Sequence, residues 1–370
     1  MSPRWLPEHQ VDVALTLGHA DEVTGRLCDL LFDYTVAEPL GLTSVSDEEM
    51  CYVTVTSVAP LPPAVARLAA DALTQLRAAI DHAVYAEVEV GLGRPLTVEE
   101  ERRVEMPATT TPEGFADWLK RSRRRELPPL REGSDLVKRI SSLQPYHRKD
   151  ADQHPLRVLA EHTNLAKHRT PAVATVQLAL VNTWPLNNPD LLVGTRGTPL
   201  EVGTVVASGP KFKQIPIDIW SQVAIRRPHT GEWMVLVKEI GSLAEWVRTV
   251  AIPVVATGDA NSHPPLPPHI DTARGWASAR DAIGAAGPIP ADVRHLTRLQ
   301  AHTGRRDLPE ILALHPEPPA PEVIQQWVDG LTDAEVLAEL NTFSRTDPLV
   351  SEAAARAMIR KAQEAYRLEE

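Results

Sequence analysis

The alternation of apolar and polar positions sorts the 370-residue chain into helical stretches, strand-like stretches and proline-marked breaks. From Ala64 to about Val90, apolar side chains recur at Val65, Leu68, Ala69, Ala72, Leu73, Leu76, Ile80, Ala83 and Val84, the spacing of one face of a long helix. Residues 19–34 also read as a helix. Residues 51–58 (CYVTVTSV) alternate and are rich in β-branched side chains, which predicts a strand. Thr97 with Glu100 has the spacing of a capping box and starts a short acidic helix. Thr111-Pro112 opens a helix reading FADWLKRSRRR, and Pro155 opens another that runs to about Arg169, proline being well placed in a first helical turn.

Pro171 marks a change of period. Residues 172–182, 190–195, 199–207, 214–227 and 232–238 are short, β-branched and bounded by turn residues, which predicts an antiparallel meander with a hairpin turn at Thr230-Gly231. Ser242 and Glu245 cap a helix expected to end before Pro253. GDANSHPPLPPH (258–269) has the composition of a linker. Beyond it four or five short helices are expected, one capped by Thr332 with Glu335 and the last beginning at Ser351. The expected fold is α+β, with a long central helix in a mainly helical region (1–170). An antiparallel meander with a closing helix (171–258) shares its core. A proline-rich linker (259–269) then leads to a separate small helical domain (270–370).

Composition narrows the function classes. The 33 prolines, about twice the usual share, punctuate the chain and exclude long coiled coils. Cys28 and Cys51 are the only cysteines and form no CxxC pair, which excludes a disulfide framework and a thiolate zinc knuckle and fits the cytoplasm. The first residues lack a signal-peptide core and no run approaches 18 apolar residues, so neither secretion nor a membrane span is expected. No Walker A loop, GxGxxG, GxSxG or HExxH is present. The net charge of −11 argues against indiscriminate coating of nucleic acid. Its distribution qualifies that: residues 117–149 hold 10 Lys+Arg against 4 Asp+Glu, centred on KRSRRR at 120–125. Such an island is either a solvated helix face or a phosphate-facing surface.

Helical angles place the candidate polar residues. With Ile80 as origin, Arg77 lies at the margin of the core face, about 60° away, and Asp81 about 100° away. His82 lies near the opposite face, about 160° from Ile80. On the helix after Pro155, His162 sits mid-core-face and is expected to be a satisfied buried histidine. Arg157, Glu161, Asn164 and His168 share a different stripe, four chemically distinct hydrogen-bonding residues on one face, as in a cleft wall. Histidines 147, 154, 162 and 168 cluster with Asp150, Asp152 and Glu161, donors of the zinc or iron type. One helix does not turn both His162 and His168 to one ion, however, and no metal or other cofactor is expected.

Taken in order, LRAAIDHAVY (76–85), Met106-Pro107, LQPYH (143–147) and NLAKHR (164–169) resemble a largely uncharacterised bacterial family with LRxAxDH, QPY and NxxKHR segments. The resemblance spans roughly residues 20–255, with Met106 standing where that family would lead one to expect an aromatic residue. The LRxAxDH helix is in turn similar to the R-x4-6-H signature of HEPN-type helical domains, many of them ribonucleases or toxins. That resemblance implies a metal-independent ribonuclease or defence-type effector, often with its site between two subunits. Arg77 would bind phosphate, His82 would move the proton and His168 would assist. Asp81, Tyr146, His147, Glu161, Asn164, Lys167 and Arg169 would bind substrate, RNA would lie along 120–149, and the chain would form a homodimer. Two other readings stand beside it. One is a non-catalytic interaction or regulatory protein whose 270–370 region binds a protein partner. The other is a small-molecule or metal-dependent enzyme using the Glu161/Asn164/His168 face.

Overall fold

The structure, a computed structural model, describes residues 5–120, 126–168, 174–183, 190–194, 197–213, 217–261, 263–343 and 347–369. Helix and antiparallel sheet are mixed, an α+β fold. Two compact units are present, Met1–Asp292 and Val293–Glu370.

In the first unit, helices α1 (Val11–Val36) and α2 (Pro63–Leu92) pack against each other. The apolar stripe read from the sequence is the buried face of α2: Val65, Ala69, Ala72, Leu73, Leu76, Ile80, Ala83 and Val84 all join the core of this unit. Between the two helices runs a hairpin, β1 (Leu40–Ser46) and β2 (Met50–Val58), turned by Asp47, whose carboxylate accepts from the Glu49 and Met50 amides. β1 was not expected, because LGLTSVS is weakly apolar and its side chains are mostly exposed. Short helices α3 (Val98–Glu101), capped by the expected Thr97/Glu100 box, α4 (Pro112–Lys120) and α5 (Asp135–Ser142) then lead to α6 (Pro155–His168).

The single meander expected after residue 171 is instead divided between two sheets. Strands β3 (Ala174–Thr183), β6 (Ile217–Arg226) and β7 (Trp233–Val235) form one sheet, ordered β3-β6-β7. Strands β4 (Leu192–Val193) and β5 (Val205–Pro210) join the N-terminal hairpin in the other, ordered β1-β2-β5-β4. The hairpin turn does form at Thr230-Gly231, where Gly231 has φ 76° and Arg227 and Glu232 pair through the backbone. Behind it a buried Arg227–Glu239 pair, bonded at 2.6 and 2.9 Å, ties the β6–β7 turn to α7 (Leu236–Trp246).

The closing helix starts at Leu236 and does not stop before Pro253. A π-turn at Val247–Ala251 passes the chain into α8 (Ile252–Thr257), relaxing the hydrogen-bond ladder where proline lacks its N–H. Among the described residues, Leu236–Thr257 alone is long and apolar enough to cross a membrane. Its Leu236, Ile240, Leu243, Val247, Ile252 and Val255 are buried in the core of this unit.

Residues 259–269 are not a linker. Leu266 and Ile270 are buried, Trp5 stacks on His263 at 4.8 Å and donates to the Pro264 carbonyl, and Arg248 donates to the Leu266 carbonyl. Prolines here fix an extended segment against the core, and the unit continues through α9 (Ala279–Gly284). The boundary lies in the first turn of α10 (Ala291–Ala313), not at residue 270. The second unit has its own core of Leu308, Leu312, Ile324, Val328, Val336 and Met358. It is built on the rest of α10, α11 (Pro321–Gly330), α12 (Asp333–Leu340, with the expected Thr332/Glu335 box) and α13 (Pro348–Glu369).

Candidate functional site

Two stretches distant from it in sequence, on α2 and at Gln144, grip one strap of backbone, residues 105–109. On α2, Arg77 and Asp81 lie one turn apart and form an ion pair at 3.2 Å. Asp81 Oδ1 accepts from the Met106 amide at 2.8 Å, and Arg77 Nη2 donates to the Met106 carbonyl. The pair therefore grips both polar groups of one peptide residue. Met106 turns its side chain into the core, 1% exposed. From below, Gln144 is fully buried and makes four hydrogen bonds. Its Nε2 donates to the Pro107 and Ile140 carbonyls, and its Oε1 accepts from the Thr109 amide and hydroxyl. Gln144 is thus saturated, as a buried amide must be.

With the strap so held, a cleft of about 420 Å³ opens between α2, the strap, α4 and α6. Arg77, Asp81, Met106, Thr109, Trp118, Arg157, Glu161, Asn164 and Lys167 contribute to its walls. The expected polar stripe of α6 is one of those walls. Its opposite face buries Leu156, Val158, Leu159 and His162. Arg157 and Glu161 pair at 2.6 Å across one turn, and Arg157 also lies 3.7 Å from Asp152. Thr163 turns its hydroxyl back to the Leu159 carbonyl at 2.9 Å, a bond within the helix.

The structure brings together Arg77, Asp81, Glu161, Asn164 and Lys167, and places other expected site residues elsewhere. His82 is exposed on another face of α2, its Nδ1 3.4 Å from the Thr16 hydroxyl of α1, and is absent from the cleft walls. Tyr146 packs on Phe115 and shares a hydrogen bond with Ser141 at 2.8 Å; His147 bonds to the Ser141 carbonyl. Neither lines the cleft. The side chain of His168 and the whole of Arg169 lie outside the described residues, as do residues 121–125 of the basic island. Within the described part of that island, Arg139 is spent on Glu87 (3.1 Å) and the Val255 carbonyl, and Lys138 on Asp135. Sequence reasoning missed Gln144 and Trp118. Glutamine in QPY was part of the resemblance, but its partners on the strap lie 35 and 37 residues away and leave no local signal.

Two histidines on or beside α6 are buried. His154 is pushed down to about 4, chiefly by burial and then by the nearby Arg148 and His147 charges. Its Nδ1 accepts from the Leu156 amide in the first turn of α6, at 3.2 Å. His162, 3% exposed, is also pushed down to about 4, mainly by burial and then by His229 and Arg227. The expectation that it is satisfied does not hold: among the described residues neither ring nitrogen has a hydrogen-bond partner. Among those residues, too, no group of three His, Cys, Asp or Glu is placed to hold a metal.

Comparison with known proteins finds no matching family model, no matching curated protein and no matching solved structure.

Proposed function

We propose that the protein binds a small polar molecule in the cleft between α2, the 105–109 strap, α4 and α6, and that it does so in the cytoplasm. The observation that supports this is convergence. Segments near residues 77–81, 105–109 and 157–167 deliver charged and amide side chains to one concavity, with buried hydrogen bonds fixing its rim. A volume of about 420 Å³ is in the range of small-molecule sites. Fixed walls also reduce the ordering cost that binding incurs. The ribonuclease reading needs Arg77 and His82 at one phosphate. Arg77 is instead held by Asp81 and Met106 in the cleft, and His82 faces solvent beside α1. Binding, rather than RNA cleavage by an Arg–His pair, is the reading this geometry favours.

The test is thermal unfolding of the full chain with a panel of cationic, neutral and anionic small metabolites, run in parallel on Ala160→Trp. Ala160 lines the cleft, and an indole there fills it. A ligand at a hundred times its Kd stabilises by about 2.7 kcal/mol, an easily read shift in Tm. At least one compound is expected to protect the wild type and not the variant. Protection equal in both places the ligand elsewhere. Chelator-resistant cleavage of total RNA that is lost in His82→Ala and retained in Ala160→Trp overturns the proposal.

A further inference from the structure

Resting on the cleft as a small-ligand site, the balance of donors and acceptors on its walls indicates what that ligand carries. Each acidic group has a partner inside the protein. Asp81 Oδ1 takes the Met106 amide and Oδ2 takes Arg77 Nε; Glu161 takes Arg157; Glu105 also interacts within the protein. The strap carbonyls of Met106 and Pro107 accept from Arg77 and Gln144. The hydroxyls of Thr109 and Thr163 both donate inward.

Donors are in surplus. Arg77 is only 12% exposed, yet its Nη1 is buried without a partner among the described residues. Lys167 and the Asn164 side-chain amide also line the cleft, both exposed at its wall, and no side-chain hydrogen bond or ion pair within the described protein engages either. The Nε of Arg157 makes no hydrogen bond but lies 3.7 Å from the Asp152 carboxylate, so it is not counted among the open donors. Leaving a buried guanidinium N–H unmet is costly, and charge-assisted bonds to an oxyanion are among the strongest available to it. We infer that the ligand of this cleft bears an oxyanion, a carboxylate or a phosphate group, received by Arg77 Nη1, Lys167 and Asn164.

The experiment is titration calorimetry of the full chain with inorganic phosphate and with malonate, each at constant ionic strength set with chloride, on wild type, Lys167→Gln and Ala160→Trp. Arg77 is left intact because it holds the strap and its loss would perturb the fold. Saturable binding of at least one anion is expected in the wild type. It should weaken about tenfold or more in Lys167→Gln, the loss of one charge-assisted bond, and vanish in Ala160→Trp. Anion binding unchanged in both variants means a surface site and overturns the inference. So does the absence of any saturable anion binding. If, in the metabolite panel, a neutral or cationic compound protects through the cleft while neither anion binds, the cleft stands as a small-ligand site and the oxyanion assignment alone fails.

Discussion

At the scale of single residues, the sharpest contrast is between Gln144 and His82. Both belong to segments that carry the resemblance, yet only one has work inside the protein. Gln144→Leu keeps the volume and removes four hydrogen bonds, leaving the Thr109 amide and Pro107 carbonyl without partners beside the cleft. Unmet buried backbone groups cost about 1–3 kcal/mol each. Chemical denaturation is therefore expected to show a loss of roughly 2–4 kcal/mol, together with loss of ligand protection. His82→Ala, by contrast, removes an exposed ring whose one described polar neighbour is 3.4 Å away. It is expected to change stability by less than about 0.5 kcal/mol and to leave protection intact. A large effect of His82→Ala on either measurement contradicts the placement of the site.

At the scale of elements, what was legible in the sequence followed from local periodicity. The α2 stripe and the polar stripe of α6 obey the 3.6-residue repeat, and the structure uses them as core face and cleft wall. What depended on distant partners was not legible. Strand pairing is non-local, so nothing in 199–207 or 51–58 announced that β5 would pair with β2 across some 150 residues. The strap and its clamps depend on contacts 25 to 37 residues apart. Prolines at 264–268 misled for a different reason: an extended proline segment has the same composition whether solvated or packed. Gly18 on α1 separates the two cases by sign. A Cβ there would lie 2.8 Å from Ile270 Cβ and 3.3 Å from its carbonyl oxygen. Had 258–269 been a loose linker that left Ile270 free to move away, Gly18→Ala would stabilise the helix by about 1 kcal/mol through propensity. With the segment packed, overpacking is expected to outweigh that gain, and the variant should unfold at lower denaturant by roughly 1–2 kcal/mol. A stabilised Gly18→Ala would return the segment to the status of a linker.

At the scale of the whole molecule, the cleft shares its foundation with the acid sensitivity of the fold. His154 and His162 sit on or beside the helix that supplies the α6 wall, and both are held neutral by burial, at about 4 against an ordinary value near 6.5. The unfolded chain therefore binds more protons between pH 6.5 and 4, and stability falls as pH falls through that window. Above pH 6.5 the contribution is complete; below about 4 both states are protonated and the slope from these groups ends. For His162, a depression of this size corresponds to roughly 3 kcal/mol. Arg227 and His229, whose positive charges help depress it, are anchored by Glu239 and by the Asp152 carbonyl, so the arrangement is part of the folded unit and not a surface accident. His162→Leu removes the titrating ring together with two nitrogens that have no described partner. The variant is expected to be at least as stable as the wild type at pH 7 and to show a flatter decline between pH 6.5 and 4. Denaturant midpoints measured at half-unit pH steps check this, and hydrogen exchange should localise the recovered protection to the Met1–Asp292 unit. An unchanged slope in His162→Leu would mean that the acid limb arises elsewhere and that the buried ring of α6 is not what couples protonation to the cleft-bearing unit.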